Sequence, residues 1–203
     1  MDKLQLLKSF KLMGFEVNDD QEIIKETVDD YENYKQIQLI NGVWEYSEID
    51  FERKSPPEKV NIINFNHNKQ AYRYFFLNLL KSSAFNKAFI KDNPVYNISS
   101  IKELEHLFIQ MNLPRMYYNF SNQINSDEIH VEFTVDKKVI VNCINCHGNK
   151  ILSTRPLELE RGILSMYRIT RYYCILKETE HTLIENQLIN EAFNDEDVKW
   201  FIK

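Results

Sequence analysis

The chain alternates apolar and polar residues from Gln36 to Ile40 and again from Val43 to Ser47, with Asn41-Gly42 between the two runs. A two-residue type I′ turn needs positive φ at both central positions, which Asn-Gly tolerates best, so this stretch predicts a β-hairpin. Such a turn fixes the register. Ile40 faces Val43, Leu39 faces Trp44, Gln38 faces Glu45 and Ile37 faces Tyr46, which puts Ile37, Leu39, Trp44 and Tyr46 on one face and Gln36, Gln38, Glu45 and Ser47 on the other. Lys59 to Phe65 is β-branched and reads as a third strand, reached through a loop from Arg53 to Glu58 that carries Pro56-Pro57. The period then lengthens. Asn66 or Asn68 caps a helix to about Ser83, and Ala71, Tyr72, Phe75, Phe76, Leu79 and Leu80 form a wide apolar face that must bury against the Trp44–Tyr46 side of the hairpin.

Upstream, Leu4, Leu6, Leu7, Phe10 and Met13 recur at helical spacing and Gly14 is a natural stop, predicting a helix over 2–13. Residues 18–35 are acidic; Ile23, Ile24, Val28 and Tyr31 suit a helix, with strand an alternative for part of the segment. Downstream, Ser100-Ile101-Lys102-Glu103 is a capping box opening a helix to about Met111, before Pro114. Period two returns from Glu128 to Val135, where Ile129, Val131, Phe133 and Val135 alternate with Glu128, His130, Glu132 and Thr134, followed by Val139–Cys143 and Lys150–Ser153, a small meander. Leu157 to about Leu188 is a long helix apolar around much of its circumference, and Asn194 caps a last helix to Ile202. The expected fold is α+β: an antiparallel hairpin and meander sheet packed on several helices, including a long C-terminal core helix. Residues 1–203 read as one domain, with possible sub-halves 1–90 and 100–203.

Charge changes the picture more than composition does. The net charge is −5, but residues 1–58 hold 14 Asp and Glu against 7 Lys and Arg, while the remaining 145 hold 16 against 18. An acidic N-terminal third repels a nucleic-acid backbone and attracts a basic partner, unless it is simply a solvated surface. No apolar run approaches the roughly 20 residues that span a bilayer. The first residues form an interrupted amphipathic pattern, unlike a signal peptide, so a cytoplasmic protein is expected, without membrane association. Three cysteines, an odd count, fit that expectation.

Motifs for chemistry are sparse. Cys143-Ile144-Asn145-Cys146-His147 has the spacing of c-type haem attachment, but it lies in a strand-to-turn segment. The same Cys143 and Cys146 have zinc-knuckle spacing, and Cys174 with His147 or His181 would complete four ligands. Against zinc, there is no second paired motif; Cys143 packing inward with a His147-Gly148-Asn149 turn is the preferred reading, and no cofactor is expected. The remaining histidines are scattered, and four glycines leave no phosphate-cradling loop. A small enzyme or ligand-binding protein with a hidden pocket would instead gather groups such as His106, His130 or Glu132 beside Arg161. Arg161, Arg168 and Arg171 share one side of the long helix and, with Tyr172, offer an anion site; a solvated or ion-paired flank is the preferred reading.

Val43-Trp44-Glu45-Tyr46-Ser47-Glu48, then Ile63-Asn64-Phe65, then Ala71-Tyr72-Arg73-Tyr74-Phe75-Phe76-Leu77-Asn78-Leu79-Leu80 resembles a pattern of small bacterial immunity proteins, the cytosolic antidotes encoded beside secreted polymorphic or contact-dependent toxins. The family pattern is a Trp-Glu-x-Tyr-Ser-Glu-like strand, a strand ending in Phe, and a helix of the form Ala-x-x-Tyr-Phe-Leu; here the first strand is one residue shorter. The match covers about a quarter of the chain. The resemblance implies a protein without an active site, a stoichiometric inhibitor that occludes one cognate toxin domain, often a nuclease, in contact-dependent growth inhibition. Joined to the acidic balance of residues 1–58, it makes Asp29, Asp30, Glu32, Glu48, Asp50 and Glu52 the expected toxin-binding residues.

Overall fold

The computed structural model describes residues 1–51, 56–88, 92–121 and 123–203, with the backbone alone at 87 and 88. The chain divides into two compact units, Met1–Leu80 with Thr182–Ala192, and Lys81–His181 with Phe193–Lys203.

In the first unit, α1 (Lys3–Met13) starts at a reciprocal capping box: the Gln5 N–H donates to Asp2 Oδ1 and the Asp2 N–H to Gln5 Oε1, each at 2.8 Å. Gly14 ends it at φ +74°, a left-handed conformation that glycine reaches without strain. Leu6 and Phe10 are wholly buried, and Phe10 meets the ring of Phe75 edge to face at 5.5 Å. Five strands follow, β1 (Val17–Asp20), β2 (Ile23–Glu26), β3 (Tyr34–Ile40), β4 (Val43–Asp50) and β5 (Glu58–Phe65), as one antiparallel meander in chain order. Asn41 at φ +50° and Gly42 at φ +83° make the expected turn, and all four expected cross-strand pairs from Ile40–Val43 to Ile37–Tyr46 are present. The loop expected at 53–58 lies partly outside the described residues.

For residues 18–35, where the pattern leaves helix and strand both open, the structure has the strands β1 and β2 and no helix. Ile24 is wholly buried opposite Ile37, while Val28 and Tyr31 stand in solvent, so the apolar positions serve a sheet ladder rather than one helical stripe. On the polar face of the hairpin, Gln36 and Ser47 are buried, and the Gln36 amide donates to Ser47 Oγ at 3.2 Å. That bond replaces the water both groups lose.

The helix α2 (Asn68–Ala88) runs five residues past the expected stop at Ser83, and Ala84 in this extension is buried. All six residues of its expected apolar face are buried, and the rings of Trp44 and Tyr72 meet at 5.0 Å and those of Tyr46 and Phe75 at 6.5 Å. The helix therefore covers the side of the hairpin that the alternation marked.

In the second unit, β6 (Tyr118–Asn119), β7 (Glu128–Phe133), β8 (Val139–Ile144) and β9 (Lys150–Ser153) form a four-stranded sheet in that order, with β6 parallel to β7. The helix α3 (Ile101–Gln110) is capped by Ser100 Oγ, which accepts from the Glu103 N–H at 3.2 Å; the Glu103 carboxylate reaches back to the Ser99 N–H, one residue beyond the expected box. The long helix is α4 (Leu159–Glu185), shorter at both ends than 157–188. Leu157 is held instead in a two-way backbone bridge to Val139 at 2.8 Å, and Gln187 at φ +56° lies beyond the helix end. At Gly162 a Cβ would lie 2.5 Å from Val139 Cβ, so α4 approaches β8 as closely as it does only because that residue has no side chain. Phe133 and Val135, expected on the apolar face of β7, are exposed, since β7 ends at Phe133. A short helix, α5 (Asp195–Ile202), completes the unit, with Asn194 as its cap. Among the described residues no helix is long and apolar enough to cross a membrane.

Candidate partner-binding loop

Between β2 and β3 the chain runs Thr27-Val28-Asp29-Asp30-Tyr31-Glu32-Asn33, and every one of these residues is exposed. Two acceptors at its base keep it in place. Glu26 Oε2 accepts from the Lys35 N–H at 2.7 Å, and Asn33 Oδ1 accepts from the Phe51 N–H at 2.7 Å, which fixes the loop beside the end of β4. Tyr31 sits at φ +70°, left-handed for a residue with a bulky side chain, a conformation costing about 1–2 kcal/mol that persists only where the surroundings enforce it. Its ring stands edge-on to Phe51 at 6.3 Å yet remains 83% exposed. Phe51 also meets Tyr34 at 6.2 Å, and the Lys25 ammonium lies 5.5 Å from the Tyr34 ring centroid. The result is a propped aromatic tip with Asp29, Asp30 and Glu32 around it.

The other acidic candidates divide. Asp50 is half-buried at the end of β4, next to Phe51 and opposite Glu58, so it belongs to the same rim as the loop. Glu48 uses both oxygens inside the unit: Oε1 accepts from the Tyr46 hydroxyl at 2.7 Å and Oε2 from the Asn61 amide at 2.8 Å. Burial first, and the Glu48 carboxylate second, push the Tyr46 hydroxyl well above the usual tyrosine range. Glu52 lies outside the described residues.

The thiols are placed as small core groups. Cys143 in β8 and Cys174 in α4 are buried, and burial pushes both up to about 12, which keeps them as neutral thiols. Cys146 and His181 are exposed, and among the described residues no group of three or more His, Cys, Asp and Glu is gathered as a metal would require. The turn after Cys143 forms as expected: Asn145 Oδ1 accepts from the N–H groups of His147 and Asn149, and Gly148 takes φ +79°.

The groups of the pocket reading are dispersed in their contacts. His106 lines an open groove of about 420 Å³ with Pro94, Ile98, Lys102 and Gln110. His130 is buried, with Nε2 2.9 Å from the Ser121 carbonyl and Nδ1 without a hydrogen-bond partner among the described residues. Glu132 pairs with Lys150 at 2.7 Å, and that bond holds its carboxyl below the usual range. Arg161 is exposed. For the arginine stripe a solvated or ion-paired flank is the preferred reading; Arg168 and Arg171 are half-buried, and among the described residues the Nε atom of each is enclosed without a hydrogen-bond partner.

The spacing groups Tyr31 with Ile23, Ile24 and Val28 as positions that suit a helix, in a segment open between helix and strand, and Tyr31 stands instead in a loop. The signal was there in Asp29-Asp30-Tyr31-Glu32, an aromatic residue with no apolar neighbour to share a core with. Phe51, the prop, could be recognised only through the register of β3 on β4, which carries Asn33 to it. Comparison of the chain with protein-family models, curated proteins and solved structures found no match.

Proposed function

We propose that this chain is an immunity protein, a cytoplasmic antidote that binds a cognate toxin domain one to one and blocks it by occlusion, with no turnover of its own. The observation that carries the reading is the Tyr31 loop. A propped, exposed tyrosine amid carboxylates with no ion pair among the described residues has the composition of an interface hot spot, in which a large amphipathic ring anchors and charge steers. Three acidic residues within four positions favour a basic partner surface, such as the substrate face of a nuclease. The Trp44–Glu48 strand and Ala71–Leu80 helix support the reading differently, because the residues carrying the family likeness build the frame from which this loop projects.

The test is protection. Cells expressing the toxin encoded beside this gene should survive with the wild-type chain and die with Asp29→Lys/Asp30→Lys/Glu32→Lys or with Tyr31→Ala, while both variants keep the wild-type unfolding midpoint. Full protection by both folded variants would refute the loop as the binding surface. A toxin that forms no complex with the wild-type chain would refute the function.

A further inference from the structure

The five-stranded sheet of the first unit has two edges, and the chain treats them differently. At one edge β1 is four residues long and closes on Asp19-Asp20, with Asp19 paired to Lys3 at 2.7 Å. Short length and charge keep a sheet edge from pairing further. At the other edge β5 is eight residues long, and from Val60 to Phe65 it carries no charge and no proline. Ile62 is 52% exposed and Ile63 37%, and Asn61 and Asn64 are exposed beside them.

The register tells which backbone groups of β5 look outward. Ile40 and Val43 close a two-residue turn and so exchange both their hydrogen bonds, and successive residues of β4 then face β3 and β5 alternately. The Leu39 N–H, donated to the Glu22 carbonyl at 2.8 Å on the far side of β3, follows the same alternation. Trp44 and Tyr46 therefore face β5. Phe65 lies opposite Trp44 and Ile63 opposite Tyr46, so both turn their N–H and C=O inward, and Asn64 between them turns both outward. Among the described residues no strand adjoins that side. The register shift between Tyr46 and Glu48, where Asn61 takes φ +53°, gives β5 an extra residue and confines regular pairing to Ile62 onwards.

An unpaired N–H and C=O in mid-strand fit one kind of partner, an extended strand. We infer that this strand is β5 of a second copy, paired antiparallel about a two-fold axis at Asn64. The two Asn64 residues then exchange N–H and C=O bonds. Ile63 of each copy stands opposite Phe65 of the other, on the side where Phe65 meets Tyr74 of α2 at 5.2 Å, so a β-branched and aromatic pair forms twice. On the other side Ile62 meets Asn66. No residue from Ile62 to Asn66 is charged, so this edge is its own complement, whereas a basic surface drawn to the acidic loop would find no charge here to meet. Closure about a two-fold consumes both β5 edges and leaves outside only the β1 edges, where Asp19 and Asp20 oppose growth. The Tyr31 loop lies at the Asp50 end of β4, about 13 Å along the strand from Tyr46, so pairing at Asn64 does not depend on the proposed antidote activity.

The experiment is sedimentation equilibrium of the full chain from about 1 to 500 μM. A reversible monomer–dimer equilibrium is expected, with a dissociation constant of about 10–100 μM, since five residues a side is far fewer than the roughly 20–30 of a standard interface. Asn64→Lys sets like charges opposite each other across the axis, and Asn64→Pro removes the outward N–H while sparing the bonds to β4; each should weaken the dimer about tenfold or more. The Asp29→Lys/Asp30→Lys/Glu32→Lys variant should dimerise as the wild type does. An equal mixture of Asn64→Lys and Asn64→Glu should dimerise again, because each then meets the opposite charge, and a mixture that stays monomeric would refute the axis at Asn64. Wild-type monomer at every concentration, growth past the dimer, or undiminished dimerisation of the folded Asn64→Lys and Asn64→Pro variants would overturn the inference. If those variants do not fold, amide exchange in the wild type decides: slower exchange at Asn64 as the chain is concentrated supports the pairing, and exchange indifferent to concentration sinks it. Protection of Asn64 that appears only when the toxin domain is added would assign the edge to the toxin and overturn the second copy.

Discussion

Lys177 and Lys81 both lie in the second unit, both are half-buried, and each stands over an aromatic ring, Tyr173 at 5.6 Å and Trp200 at 4.4 Å. Their surroundings are opposite. Lys177 meets Asp127 at 3.0 Å and Glu180 at 3.3 Å, and Asp127 in turn accepts from the Tyr173 hydroxyl at 2.7 Å. Burial opposes its charge, but the two carboxylates outweigh burial and raise its proton affinity. Lys81 meets a carbonyl and no carboxylate among the described residues, and burial first and the Arg168 charge second lower its proton affinity. The comparison separates two uses of a half-buried cation. One closes a network that ties α4 to the turn before β7, and Glu180 extends the tie to the Phe193 N–H. The other is left electrostatically incomplete, a condition folding alone does not favour.

Breaking the complete network has the largest expected effect. Lys177→Met removes the charge between Asp127 and Glu180 and leaves the largely buried Glu180 and the partly exposed Asp127 without that cation. A loss of about 3 kcal/mol in urea unfolding is expected, the low end for a buried pair because Asp127 keeps contact with water. Asp127→Asn on top of Lys177→Met should recover part of it, since one of the stranded charges is then gone. A double variant no better than the single would mean that packing of the lysine stem, not charge, sets the cost.

The Tyr31 loop is a third way of placing charge, wholly in water, where unit charges 4 Å apart repel by only about 1 kcal/mol and salt screens them. Its carboxylates need no partner for folding and are free to steer one. The reversal Asp29→Lys/Asp30→Lys/Glu32→Lys should therefore weaken binding to a basic toxin domain about 10- to 100-fold, roughly 1.4–2.8 kcal/mol, while shifting stability by less than about 0.5 kcal/mol. Surface plasmon resonance at two salt concentrations checks both halves, because the wild-type advantage should shrink as salt rises.

Glu48 sharpens the same point. Unlike Asp29, it is bonded inside the unit, so Glu48→Gln should cost about 1–2 kcal/mol of stability, through the weakened bond to the Tyr46 hydroxyl, with little change in affinity. The reverse pattern would place Glu48 in the interface and not in the frame.

The sequence made some of this legible and not the rest, for identifiable reasons. The Asn41-Gly42 turn carries its own conformational requirement, so strand register followed from two residues. The apolar face of α2 followed from spacing alone. β1 and β2 were hidden because Ile23, Ile24 and Val28 fit a helical period as well as a strand, and only pairing with β3 decides between them. Glu128 and His130 looked like the solvent side of β7, yet the loop before it supplies partners: Asn119 and Asn125 donate to Glu128, and the Ser121 carbonyl lies 2.9 Å from His130 Nε2. The arginine stripe was visible, but whether acids face it depends on which helices adjoin α4, and local spacing contains nothing about that. Positive patches are read from sequence by counting charges, whereas neutralisation is a property of neighbours in space.

The smallest effect distinguishes the two lysines most directly. Lys81→Met removes a cation that repels Arg168, and it also removes the bond to the Trp200 carbonyl and the contact with its ring. These oppose each other, so the net change at neutral pH should lie within about 1 kcal/mol of zero, on the stabilising side if repulsion dominates. The pH dependence gives the sign. A lysine whose folded proton affinity is lowered destabilises while charged, so any advantage of Lys81→Met is fully present below its folded pKa and disappears as pH rises to the unfolded value near 10.5. Lys177 behaves oppositely: its folded affinity is raised, so its contribution is complete below 10.5 and is lost only as pH rises beyond that, through the folded pKa. Unfolding curves for the wild type and both methionine variants between pH 7 and 11.5 should therefore diverge in opposite senses. Parallel curves would show that neither burial nor the Arg168 charge acts on the Lys81 ammonium in the folded chain.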